Sequence, residues 1–194
     1  MQCIPHHAQE GKDSCVKKKI EKWTSSESGT EIPMKAGHSA PRIAKLKSLL
    51  GELFESQYFS VLATQSEGRL HTSLVAFAAT EDLGALLFAT PKATRKFHYL
   101  PAHPEVSIFV DNRSNDVADL YRVTGVTISG TAEVLSGPDR ETMLRLYLRK
   151  HPHMEEFARS PNSALVRVKV RKYDVVTEFQ SVMVLEIEGG ERLR

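Results

Sequence analysis

Apolar positions between residues 43 and 54 recur at intervals of three and four: Ile43, Leu46, Leu49, Leu50, Leu53 and Phe54. That spacing places them on one face of an amphipathic helix ending near Ser56, and Ser39-Ala40-Pro41 supplies a capping hydroxyl and a proline suited to the first turn. From Tyr58 the period shortens. Seven segments rich in Val, Thr, Phe and Leu follow: YFSVLATQS, RLHTSLVAFAA, ALLFAT, EVSIFVD, YRVTGVTISGTAEVL, ALVRVKV and YDVVTEFQSVMVLEI. They read as strands. Glu67-Gly68 and Glu81-Asp82-Leu83-Gly84 are tight enough to be hairpin turns, which makes the first three strands an antiparallel meander. Two helical interruptions remain, a short one over Lys92–Leu100 and a longer one from Pro138 to about Phe157, with Met143, Leu144, Tyr147 and Leu148 on its apolar side.

Crossover helices between strand pairs are missing, so the fold class is mainly β: an antiparallel sheet closed into a small barrel with flanking helices, the arrangement that leaves fewest raw edges. Residues 1–38 carry many Lys, Ser, Glu and Gly with little periodicity. They read as a flexible tail, and 39–190 as one domain.

The chain has 194 residues, with 26 basic and 24 acidic side chains and a formal charge of +2. Such a balance argues against a general nucleic-acid binder, which needs surplus cations to displace counterions from phosphates. Cys3 and Cys15 both precede the domain, so no disulfide framework supports it. No run approaches the roughly 18 apolar residues of a membrane span, and no secretory signal opens the chain, which points to a cytoplasmic protein without a membrane partner. Nucleotide-binding glycine motifs are absent. His6-His7 and His151-Pro152-His153 lack the spacing and companions of a metal site.

The informative stretch is Leu87–Phe97, where an apolar strand stops at Thr90-Pro91 and a helix begins at once with Thr94, Arg95 and Lys96. A helix start offers unpaired N–H groups, and cations there oppose the macrodipole at a cost of about 0.3–1 kcal/mol each when exposed. A bound phosphate monoester accounts for them; a solvated basic helix start is the plainer alternative. The strand Arg69–Ala76 places His71, Thr72, Ser73 and Leu74 beside that site, where a flat ligand can lie along it. Asn112, in the loop 111–116, can line the ligand mouth or simply make a turn. Phe179 and Gln180 can reach a ligand or pack as ordinary strand residues.

FATPKATRKFHYLPAHPEVSIFV, preceded by RLHTSLVAF and followed by VTISGTAEVL, resembles the pyridoxamine 5'-phosphate oxidase-like, FMN-binding split-barrel family over roughly residues 42–185. The resemblance implies a homodimeric split barrel with FMN at the subunit interface. It implies that Thr94, Arg95 and Lys96 hold the FMN phosphate, that Thr90 lies between phosphate and ring, and that the strand of His71, Thr72, Ser73 and Leu74 runs against the isoalloxazine. The chain lacks the C-terminal Trp and Arg-x-His segment of true pyridoxamine phosphate oxidases, and Gly125 stands where those enzymes place a flavin-contacting Gln. The expectation is therefore a flavin-dependent oxidoreductase with another small-molecule substrate or electron donor, and no residue is assigned as acid or base. The alternative is a non-enzymatic FMN carrier or electron-transfer protein, or a haem-binding relative using His71, His98 or His103.

Overall fold

A computed structural model describes residues 40–117, 119–177 and 181–187; the 1–38 segment, Ser39, Phe179 and Gln180 lie outside them. In chain order the elements are α1 (Ala40–Ser56), β1 (Phe59–Ser66), β2 (Arg69–Ala79), β3 (Ala85–Pro91), α2 (Arg95–Tyr99), β4 (Glu105–Asp111), α3 (Asp119–Arg122), β5 (Gly125–Val134), α4 (Gly137–Lys150), a 3-10 turn (Pro152–Met154), α5 (Glu155–Arg159), β6 (Ser163–Thr177) and β7 (Ser181–Glu186). The sheet order is β3-β2-β1-β4-β5-β6-β7, and β3 also pairs with β6. Six antiparallel strands therefore close into a barrel, with β7 beside the second half of β6.

The first three strands form the expected meander. Glu67 and Gly68 both take positive φ, 51° and 75°, as a two-residue hairpin turn of primed type requires. In the next turn the Asp82 carboxylate accepts hydrogen bonds from Thr80 Oγ1 and the Gly84 amide, and these bonds hold its pKa below the usual carboxylate value.

Several boundaries differ from the sequence pattern, and the short helix expected over Lys92–Leu100 begins only at Arg95, with Thr94 as its N-cap. β6 runs unbroken through Arg171-Lys172, where the pattern suggests two strands. Arg171 is the extra residue of a bulge between Ser129↔Lys172 and Gly130↔Val170, and the bulge bends the strand without ending it. Gly130 makes this possible, because a Cβ there would stand 2.3 Å from the Lys169 carbonyl oxygen. Tyr121-Arg122 belong to α3 rather than to β5. The long helix stops at Lys150, since Pro152 disfavours helical geometry at His151, whose φ and ψ are −123° and 62°.

Alternation explains the packing. Leu62, Phe77, Leu86, Phe88, Ile108, Ile128 and Tyr173 fill the barrel, and α1 packs Leu50, Leu53 and Phe54 against the same core, with the Phe54 ring edge-on to Phe77 at 5.7 Å. Leu87 and Ala89 point the other way and meet Leu144 and Tyr147 of α4. β3 is thus covered on both faces, which is why its sequence is apolar throughout rather than alternating.

Candidate functional site

β2 and β3 are paired only where Phe77, Ala78 and Ala79 face Phe88, Leu87 and Leu86. Continuing that register would set Ala76 against Ala89 and Val75 against Thr90. Instead the strands part. A cleft of about 350 Å³ occupies the gap, lined by Leu74–Ala76 on one side, Ala89–Pro91 on the other, Lys96 from α2, Tyr58 and Phe59 before and at the start of β1, and His151, Met154 and Phe157 from the segment after α4. Among the described residues, the edge of β2 from Arg69 to Ala76 has no strand partner on this side.

Few polar groups reach the cleft, and they favour an anion. Thr90 is fully buried, and its Oγ1 lies 3.1 Å from Thr94 Oγ1. Thr94 spends its single hydroxyl hydrogen on the Pro91 carbonyl at 2.8 Å, so Thr90 is the donor of the pair. Burial pulls the Lys96 ammonium below the usual lysine pKa. Among the described residues no carboxylate lies within ion-pair distance of Lys96 or Arg95. A half-buried cation without a counter-charge is costly, and a ligand oxyanion relieves that cost.

Leu74, Thr90 and Lys96 line the cleft, Thr94 is one hydrogen bond behind, and exposed Arg95 adjoins Lys96. The β2 candidates separate by strand alternation. His71 and Ser73 share the face of buried Val75 and Phe77, whereas Thr72 and Leu74 share the outer face, so only the backbone edge is common to all four. Asn112 is engaged elsewhere: its Oδ1 accepts from the Thr124 amide at 2.8 Å and its own amide donates to the Thr124 carbonyl at 3.3 Å. That clasp closes the connection to β5. His98 and His103 do not line the cleft.

The cleft residues that the sequence pattern did not single out are Tyr58, Phe59, His151, Met154 and Phe157. His151 is buried, and its Nε2 lies 2.7 Å from the Phe77 carbonyl; a carbonyl only accepts, so Nε2 carries the proton. Burial lowers the pKa of this imidazole, the Phe77 bond opposes that, and the neighbouring Lys150 charge adds to the lowering. Its ring stands 4.8 Å from that of Tyr147, whose phenol is pushed up to about 12 by burial. Helix α4 ends at Lys150 because of Pro152, and this turns His151 and Met154 towards β2 and β3.

Beside the cleft lies an uncovered apolar face. Leu74 pairs with Val61 and Val61 with Phe109, so the three share the outer surface of β2, β1 and β4; Phe59 and Leu74 are 59% and 67% exposed. Gly125 packs beneath Phe109, where a Cβ would approach Cζ to 3.1 Å. No helix among the described residues is long and apolar enough to cross a membrane, and no cluster of three or more metal-ligating side chains occurs among them.

The closed antiparallel barrel and its cleft define the class, and comparison with known proteins gives the family. A family model described as pyridoxamine 5'-phosphate oxidase matches residues 46–177, and the chain belongs to that family. No curated protein matches it. Solved structures similar to it include a heme binding protein from Mycobacterium smegmatis (18% identity, TM-score 0.63, covering 78% of this chain and 60% of that one). General Stress Protein 26 from Bacillus anthracis is similar at 16% identity and TM-score 0.57, over 73% of this chain and 98% of that one. A FAD-binding protein from Mesorhizobium loti is similar at 15% identity and TM-score 0.53, over 66% and 90%. These likenesses establish the fold.

Proposed function

We propose that the chain is an FMN-binding flavoprotein acting as an oxidoreductase, with a single binding domain over 39–190 that works as a homodimer, and that its substrate is not pyridoxamine phosphate. The observation that carries this reading is the parting of β2 from β3 beside an unpaired Lys96. The gap combines an apolar slot, a free backbone edge and a cation in about 350 Å³, within the range of about 300–1,000 Å³ typical of small-molecule sites.

The donor set fits FMN. Lys96 and Arg95 would hold the phosphate, and Thr94 would join them by exchanging its bond to Pro91 for one to the ligand. The open edge of β2 at Leu74–Ala76 would meet the polar rim of the ring. FMN, when bound, supplies electron-pair transfer at its ring system. Tyr58, Phe59, Met154 and Phe157 would give the slot its apolar walls. His151 keeps its Nε2 proton on the Phe77 carbonyl and so acts as a fixed wall that orients what it touches rather than as an acid. The apolar face across Leu74, Val61 and Phe109 supports a second copy as its cover.

The flavin- and haem-binding neighbours offer two ligand classes. An axial haem ligand needs a free imidazole nitrogen facing the iron; His151, the one histidine lining the cleft among the described residues, has Nε2 engaged and keeps a lone pair only on Nδ1, the nitrogen crowded by its own Cβ, whereas Lys96 offers an anionic ligand a cation. Flavin is therefore favoured. The test is to incubate the full chain separately with FMN, FAD and haemin, desalt, and record absorbance. Retained flavin bands with FMN are expected. A Soret band alone, or a protein that retains none of the three, overturns the reading.

A further inference from the structure

A second cavity, about 450 Å³ and so larger than the proposed flavin cleft, lies among α1, α4 and the turn between β2 and β3. Phe54, Ala78, Leu83 and Leu146 give it apolar walls, and Lys150 lines it. The Lys150 ammonium sits over the Phe77 ring, 4.2 Å from its centroid. Nζ donates to the carbonyls of Phe54 and Gln57, the latter at 2.6 Å, where α1 ends and its carbonyls lack helical partners.

This is an unusual setting for a lysine. No carboxylate forms an ion pair with it among the described residues. Glu81 is already paired with Arg149 at 3.5 Å, and Glu55, also on the cavity wall, acts on Lys150 only at longer range. A neutral amine has two N–H bonds and one lone pair. The Phe54 and Gln57 carbonyls take the two hydrogens, which leaves the lone pair for an electrophile. Burial lowers the ammonium to about 8, with Glu55 opposing, so a share of it is free amine near neutral pH.

We propose that this cavity is a second binding site, in which Lys150 captures small uncharged aldehydes as imines. The Nζ lone pair forms a bond to the carbonyl carbon while the C=O π pair moves to oxygen. Proton transfer from nitrogen gives a carbinolamine, and loss of water leaves C=N, with no oxidant or reductant consumed. The protonated imine keeps one N–H, and a helix-terminal carbonyl accepts it. Charge selects the ligand: Glu81 cancels Arg149, so Glu55 is the uncompensated charge of the wall, which disfavours an anionic aldehyde and suits a positively charged product. The apolar walls favour an aromatic or short aliphatic substituent.

The test uses the full chain with benzaldehyde and sodium cyanoborohydride at pH 7.5, where the hydride reduces C=N to a stable secondary amine and mass spectrometry ranks every lysine. The lowered ammonium gives on the order of a hundredfold more free amine than a solvent-exposed lysine has. Lower nucleophilicity offsets part of this, so Lys150 should be labelled about tenfold faster than Lys45, Lys47, Lys92 or Lys169. Gly51 borders the cavity with open space at its Cβ, and Gly51→Phe should slow benzaldehyde capture at Lys150 while leaving formaldehyde capture unchanged. Labelling of Lys150 no faster than that of the exposed lysines overturns the proposal, whatever the variant does. Equal slowing of both aldehydes in a folded Gly51→Phe protein overturns the role of the cavity.

Discussion

Arg95 and Lys96 are neighbours in sequence but not equals in the structure, and the difference can be measured. Lys96 lines the cleft, is half-buried, and has an ammonium whose pKa burial lowers; Arg95 is exposed. Lys96→Met keeps most of the apolar stem and removes the charge. A hydrogen bond to a charged group contributes about 1.5–3 kcal/mol, which converts to a roughly ten- to 150-fold weaker Kd for FMN. Arg95→Ala removes a screened surface charge worth about 0.2–1 kcal/mol, a loss of at most about fivefold. Titrating flavin fluorescence against each variant at two salt concentrations separates them further: the Arg95 contribution should fade with salt and the Lys96 contribution should persist. An Arg95 variant that binds more weakly than the Lys96 variant, or a Lys96 variant with unchanged Kd, would refute the placement of the phosphate against Lys96.

Gly130→Ala should destabilise the barrel by about 1–3 kcal/mol, read as a lower urea midpoint at constant m-value, because the new methyl meets the Lys169 carbonyl with backbone on both sides. Leu74→Asp should leave far-UV circular dichroism intact and shift the sedimentation profile towards monomer, since it places a charge in the uncovered apolar face. Stability should also rise between about pH 8 and 10: Lys150 releases its proton near 8 in the folded chain and near 10.5 in the unfolded one, so the unfolded state holds more protons in that window. Above pH 10 it should fall. Tyr147, at about 12 when folded, keeps a proton that the unfolded chain gives up, and buried Tyr173 is raised in the same direction. Urea midpoints across this range check both limbs, and Lys150→Met should flatten only the rising one.

The barrel was legible because burial alternates where residues alternate: Ser60, Leu62 and Thr64 face inward on β1 while Phe59, Val61 and Ala63 face outward. The pattern broke at Arg171-Lys172, two charges in a row that resemble a loop. In the structure Lys172 stays in the ladder opposite Ser129 while Arg171 is absorbed as the bulge residue, and the two charges are met at the surface by Asp174 and Glu105. At the site, Thr90, Thr94, Arg95 and Lys96 could be read together because they are contiguous along the chain. The opposite wall could not, since Phe59 and His151 are far apart in sequence and meet only through the barrel and the stop at Pro152. Nor can composition reveal that β2 meets β3 only from Phe77 onward. Strand separation depends on what the partner does, and each strand alone looks fit to pair throughout.

That separation leaves an edge that the fold must account for. Closing a barrel through β3 and β6 removes the usual exposed edges, yet β2 is paired with β3 for only three of its eleven residues. The free stretch carries Leu70, 81% exposed, and Leu74 with one charge, Arg69, and no proline. Strand edges of this kind recruit other strands unless something covers them. In the proposed assembly a flat ligand along the backbone and a second copy over the side chains would satisfy different parts of this need, and Leu74 would belong to both. The two covers are then linked: whatever factor FMN adds to dimer affinity, dimerisation must add to FMN affinity. Sedimentation with and without FMN measures one side of that equality, and flavin titration across a range of chain concentrations measures the other. If neither changes, the ligand and the second copy do not meet at Leu74, and the edge of β2 is covered by only one of them.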